Sequence, residues 1–283
     1  MSAGRRRHIL VRMRRVTLGV LPVVGLVVAG FVSAAAPGAA TVDEHPVRGQ
    51  AMQVAEPPPR PPVPAEALQA KINELFTPYG TVPLTVDGDL GRLTRQRVCA
   101  FRLATGLPVS TSPITPGSAE EDLLMSTPTL PTPFTSAVLS ERWVLVDLTC
   151  QMMFIGSGTE LVFVFPTSTG STGFETRHQN RAPIYIYRSA SDNNGWHDSS
   201  EYPVGDDNPL NGNMYKPLYF DRGLAIHGAN YVPYFPASKG CTRLRLHDMN
   251  RLISWLGLGD VTGTIVSTSR LNATVNVQGH WAW

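Results

Sequence analysis

Trp143-Val144-Leu145-Val146-Asp147-Leu148 is the stretch on which the fold class turns. It is short, almost wholly apolar and rich in β-branched and aromatic residues, so it reads as a strand. Working outward, Gln151 to Ile155 and Leu161 to Pro166 repeat that character, with Gly156-Ser157-Gly158 as the turn between them. Ala182 to Tyr187, Gly223 to His227 and Val261 to Thr268 are further strands. One helix stands out, because Met249, Leu252, Ile253 and Leu256 fall at i, i+3, i+4 and i+7. Asp248 lies near its start, and Gly257 or Gly259 ends it. Residues 141–270 are therefore expected to be mainly β, sandwich-like, with one packed helix. Residues 271–283 are left as a C-terminal tail whose Trp-containing end, from Gly279, packs back on the domain.

Upstream the pattern changes. Ala67, Leu68, Ile72 and Leu75 recur at helical spacing, and a second helix starts near Leu93-Thr94 and stops at Gly106. Between them, Asp87-Gly88-Asp89-Leu90-Gly91 is a turn rather than a calcium loop, since the other ligand positions are empty of oxygen donors. Residues 65–109 thus form a small helical module. Residues 110–140, rich in Ser, Thr and Pro, read as a linker with at most one helical turn near Glu120-Glu121-Asp122. Residues 41–64 end in a proline run, Pro57 to Pro64, which makes a semi-rigid spacer.

The chemistry concentrates at Ala225-Ile226-His227-Gly228 and Ser238-Lys239-Gly240-Cys241-Thr242-Arg243. An unperturbed thiol titrates near ~8.5, so only a small fraction is thiolate at neutral pH. A histidine within reach raises its reactivity, and His227 stands 14 residues before Cys241. Gly240 admits positive φ beside the sulfur and exposes backbone N–H groups to a developing oxyanion. Arg243 offers a fixed fork for a carboxylate. His178, His197 and His247 read as surface residues; the histidines lack zinc-ligand spacing, so no metal or other cofactor is implied.

The N-terminus carries six arginines and no acid within residues 1–15, then an apolar run from Val16 to Val32 and small residues to Ala40. That order is an export signal, residues 1–40. Gly19, Pro22, Gly25 and Gly30 dilute the run and favour cleavage, with an uncleaved anchor as the alternative. Arg14-Arg15 leaves a twin-arginine route open. The expected location is the cell wall or the extracellular space, membrane-anchored only if the signal stays. Removing the six arginines from 24 basic residues leaves 18 against 22 acidic ones. Nothing in that balance points to nucleic acid, or to membrane contact beyond the signal. Of the three cysteines, Cys99 and Cys150 are the candidate disulfide once Cys241 is set aside as the reactive thiol. Two unlinked thiols remain the alternative.

Two resemblances join these readings. Leu68-Gln69, Val86-Asp87-Gly88, Leu90-Gly91, Thr94, Val98, Phe101 and Gly106-Leu107 resemble the small helical peptidoglycan-binding domain, with departures at Arg97 and Arg102. Residues from Val144 onward resemble the YkuD-type L,D-transpeptidase catalytic domain. Val146 to Gln151, Thr167-Ser168-Thr169-Gly170, Met214 to Phe220, Ile226-His227-Gly228 and Pro236 to Leu244 carry that likeness. It implies Cys241 as nucleophile, His227 as general base, Ser238 as support and Gly240 at the oxyanion hole. It further implies Arg243, Gly228 and Tyr219 on the substrate side and peptidoglycan as the partner. The implied reaction releases D-alanine from a stem tetrapeptide through a thioester and forms a 3-3 cross-link. The family's usual second histidine is replaced by Lys239, which keeps a catalytically silent wall-binding protein open. A sortase-like transpeptidase is the weaker rival, because it places its histidine much further from the cysteine. The family's Thr-Pro-x-Gly segment is also replaced, around Thr176 to Pro183.

Overall fold

A computed structural model of the chain describes residues 61–133, 141–186, 196–197, 214–258 and 270–282. The export signal, most of the proline spacer and the strand expected at Val261–Thr268 lie outside them. Among the described residues no helix is long and apolar enough to cross a membrane.

Three helices come first: α1 (Ala65–Phe76), α2 (Arg92–Thr105) and α3 (Ala119–Ser126), with a single 3-10 turn at Thr77–Tyr79 after α1. Gly106 ends α2 at φ 75°, a left-handed cap for which glycine is the natural residue. Nine strands and one helix follow: β1 (Arg142–Asp147), β2 (Met152–Ser157), β3 (Glu160–Pro166), β4 (Gln179–Ile186), β5 (Trp196–His197), β6 (Met214–Asp221), β7 (Leu224–Ala229), β8 (Thr242–Arg245), α4 (Leu246–Trp255) and β9 (Arg270–Gln278). The sheet order is β3-β2-β1-β9-β4-β6-β7-β8, and β5 pairs with β6. Its two ends come together, because Ser168 and Gly170, just past β3, bridge to Arg243 and Ser238. One face of α4 packs on the curled sheet over a core containing Val144, Val146, Ile184, Ile226, Leu244, Met249 and Val275.

The helices do not stand apart from this sheet. Successive residues of a strand face opposite sides, and both sides of β1 and β2 are buried. Val144 and Val146 face the inner core, whereas Trp143 and Leu145 share a second core with Leu68, Ile72, Phe76, Phe101 and Leu124 of the helices. Met153 and Ile155 divide from Met152 and Phe154 in the same way. This explains the unbroken apolar run at 143–146, since a strand covered on both faces has no need to alternate. A disulfide from Cys99 on α2 to Cys150, in the turn after β1, joins the two layers.

Several expectations are corrected. The stretch read as a linker holds the eight-residue helix α3, and Ile114, Leu124 and Leu130 are buried in the shared core. Ser118 caps α3 by accepting the Glu121 N–H, while Glu121 accepts from Gly117. The tail read from 271 belongs to β9, which runs parallel to β1 in mid-sheet. Its Ala273, Val275 and Val277 face the inner core at a spacing of two. The turn between β2 and β3 lies at Gly158-Thr159, with Gly156 inside β2 at a bulge.

Candidate active site

His227 lies in β7, and Cys241 lies one residue before β8. These strands run parallel, with His227 opposite Arg243. Cys241 precedes Arg243 by two, so strand alternation directs His227 and Cys241 to one face of the pair. Ile226 and Leu244, on the opposite face, belong to the inner core.

The His227 ring is buried, at 4% exposure, and its Nδ1 lies 2.9 Å from the Gly228 carbonyl oxygen. A carbonyl only accepts, so Nδ1 carries the proton and Nε2 keeps the lone pair. The imidazole is thus held as a base at Nε2. Cys241 is half-buried; its thiol lies 3.9 Å from the Gly223 carbonyl and receives the Ala225 N–H. Burial pushes the thiol above its ordinary range, while that N–H and the Arg243 charge pull the other way. Of these effects burial is the largest, and it disfavours the thiolate.

Ser238 organises the loop rather than the proton transfer. Its hydroxyl donates to the Cys241 carbonyl at 2.6 Å and accepts the Gly240 N–H at 3.1 Å. The Gly240 amide is therefore committed to Ser238. What Gly240 supplies is a φ of 105°, with Leu224 only 2.8 Å from where a Cβ would stand. Gly228 is buried, and a Cβ there would meet the Tyr215 ring at 2.8 Å. Close packing and the His227 acceptor account for it. Tyr219 pairs with Ala225, the residue whose amide meets the thiol, and is partly exposed. Lys239 is partly exposed as well.

A second layer escaped the sequence reading. Thr169 accepts the Ala237 and Ser238 amides on its carbonyl, at 2.9 and 3.0 Å. Thr176 receives the Gly170 N–H and donates to the Gly240 carbonyl, both at 2.9 Å. Gly170 leaves no room for a side chain, since a Cβ would stand 1.9 Å from the Phe174 oxygen. Thr176 opens the segment that departs from the family pattern, so no motif pointed to it.

The pattern describing the YkuD family, an L,D-transpeptidase catalytic domain, matches residues 141–269. That span is a YkuD L,D-transpeptidase catalytic domain. It begins at β1 and contains His227, Cys241 and α4, while α1 to α3 lie before it. The L,D-transpeptidase structure from Xylanimonas cellulosilytica is 26% identical over 77% of this chain and 95% of its own, with a TM-score of 0.44. The one from Stackebrandtia nassauensis is 20% identical over 77% and 91%, with a TM-score of 0.41. L,D-transpeptidase 1 of Mycobacterium tuberculosis is 14% identical over 49% and 62%, with a TM-score of 0.32. No curated protein matches the chain.

Proposed function

We propose that the chain is an exported L,D-transpeptidase that acts on peptidoglycan stem tetrapeptides through a thioester on Cys241. The observation that carries this reading is the pairing of β7 with β8, which gives a fixed imidazole base and a thiol one strand face. In the first step His227 Nε2 takes the thiol proton as Sγ bonds to the carbonyl carbon before the terminal D-alanine. The tetrahedral adduct then collapses, the carbon–nitrogen bond breaks, and Nε2–H returns the proton to the departing D-alanine amine. An amine of a second stem attacks the thioester, loses a proton to Nε2 and forms the 3-3 amide as the thiol is restored. Water in place of the amine gives the tripeptide. A neutral resting thiol suits general-base activation better than a standing ion pair.

The helices α1 and α2, within residues 65–109, are proposed to add contact with the wall, as the sequence resemblance of that stretch implies. Incubating the full chain with a purified stem tetrapeptide tests the whole reading. D-alanine and a cross-linked dimer are expected from the wild type and neither from Cys241→Ser. Folded wild-type protein that releases no D-alanine and forms no adduct with a carbapenem would instead be the silent wall-binding protein.

A further inference from the structure

A cavity of about 190 Å3 opens where α2 meets the loop between β7 and Cys241. Leu84, Leu93, Pro166 and Pro233 line it, and polar groups share the lining almost equally. Two arginines enter it: Arg97 from α2 and Arg245 from the end of β8. Arg97 is only 3% exposed. Its Nη1 donates to Gln96 Oε1 at 2.9 Å and contacts Met152 Sδ at 3.1 Å. Its Nε and Nη2 have no hydrogen-bond partner among the described residues. Neither atom is sealed from solvent, so both are donors that the protein leaves to whatever enters the cavity.

The charge around it is unbalanced in the same sense. Burial first, and then the charge of Arg245, bring the Arg97 guanidinium down to about 9, with Asp248 acting the other way. Asp248, on the first turn of α4, is the opposing carboxylate. It is buried, neither of its oxygens accepts a hydrogen bond among the described residues, and burial pushes it towards the neutral acid. Arg251 and His247 act on that same carboxylate, and Arg92 lies over the Tyr234 ring at the cavity rim. The charged residues that line the space itself are Arg97 and Arg245, both positive.

We infer that this cavity holds a carboxylate of the second, amine-bearing stem while the first stem is attached to Cys241. The inference rests on the transpeptidase reading and adds to it the place of the acceptor. Four residues separate Cys241 from Arg245, about 13 Å along an extended strand. That is too far for the carboxylate of the departing D-alanine, which lies next to the scissile bond. The volume suits one carboxylate-bearing residue rather than a whole ligand. The two stems thus occupy opposite ends of β8.

The test measures the ratio of dimer to hydrolysed tripeptide made by the full chain from a soluble stem tetrapeptide. Arg245→Gln, on the exposed side, and Arg97→Gln are each expected to lower that ratio about tenfold or more, the loss of a charged hydrogen bond. An acceptor with its carboxylates amidated should lower it equally in the wild type and little further in the variants. A role limited to holding α2 against the sheet would reduce both products alike and leave the ratio unmoved, and that result overturns the inference. If Arg97→Gln does not fold, Arg245→Gln decides alone. Wild type that releases no D-alanine would count against the transpeptidase reading itself.

Discussion

Gln151 and Thr169 hold each other through both ends of the Gln151 amide. The Thr169 N–H donates to Gln151 Oε1 at 2.8 Å, and Gln151 Nε2 donates to Thr169 Oγ1 at 2.8 Å. Thr169 in turn carries the Ala237 and Ser238 amides on its carbonyl, so the loop bearing Cys241 is positioned from the turn after β1. Gln151 is fully buried at φ 52°, and Gln96 of α2 donates to its carbonyl at 2.8 Å. Alanine at 151 would leave the Thr169 amide and the Leu148 carbonyl buried without partners. Gln151→Ala is expected to lower stability by about 2–4 kcal/mol, read by denaturant unfolding, and to loosen the 237–241 loop. Faster alkylation of Cys241 in the folded variant checks the second effect.

The disulfide closes a loop of 51 residues between α2 and the turn that bears Gln151. Loop-closure entropy assigns such a bridge roughly 4 kcal/mol. Cys99→Ser with Cys150→Ser, or reduction of the wild type, should lower the unfolding midpoint accordingly. Thiol titration of the unfolded chain is expected to find one reactive cysteine before reduction and three after it.

Gly240 and Gly170 fix the loop from opposite sides for different reasons. At Gly240 the obstacle is φ 105° together with Leu224; at Gly170 it is backbone, the Phe174 oxygen and the Thr176 nitrogen. A leucine side chain can move, whereas the loop backbone at 174–176 cannot without disturbing the hydrogen bonds of Thr176. Gly240→Ala is expected to fold with a loss of about 1–2 kcal/mol and reduced acylation. Gly170→Ala should be the worse of the two, displacing Thr176 from the Gly240 carbonyl. Comparing their thermal unfolding and carbapenem acylation checks that order.

The strands at 143–148 and 161–166, the helix around Met249 to Leu256 and the His227–Cys241 pair were legible because periodicity and motif act locally. The alternation of Leu271, Ala273, Val275 and Val277 was equally present, yet the intervening polar residues concealed a strand buried between β1 and β4. Ser118 followed by Glu121 was a capping box marking α3 within a stretch that composition alone made a linker. The hydrogen bonds of Thr169 and Thr176 to the nucleophile loop span more than 60 residues, and Gln151 reaches that loop only through Thr169; no local pattern records such contacts.

Cys241 reactivity should follow the balance of burial against charge. Burial disfavours the thiolate, so alkylation by iodoacetamide is expected to keep rising with pH beyond the range of a free cysteine, near ~8.5. The Arg243 charge favours the thiolate, so Arg243→Gln should move the midpoint further up and slow alkylation at any fixed pH below it. A midpoint below that of free cysteine would show a preformed thiolate and contradict general-base activation.

The helices cover one face of the sheet. Trp143, Leu145, Met152, Phe154, Leu161 and Val164 all lie in the core shared with α1 to α3. Cutting the chain to residues 141–283 would expose that side of three adjacent strands, an apolar patch of the kind that drives association. The truncated chain is therefore expected to aggregate or to bind a hydrophobic dye, although it retains the whole matched catalytic span. Restoring residues 61–133 on the same chain should return it to a soluble form with a cooperative unfolding transition. A monodisperse, folded 141–283 fragment by sedimentation would show instead that the helices are a detachable module.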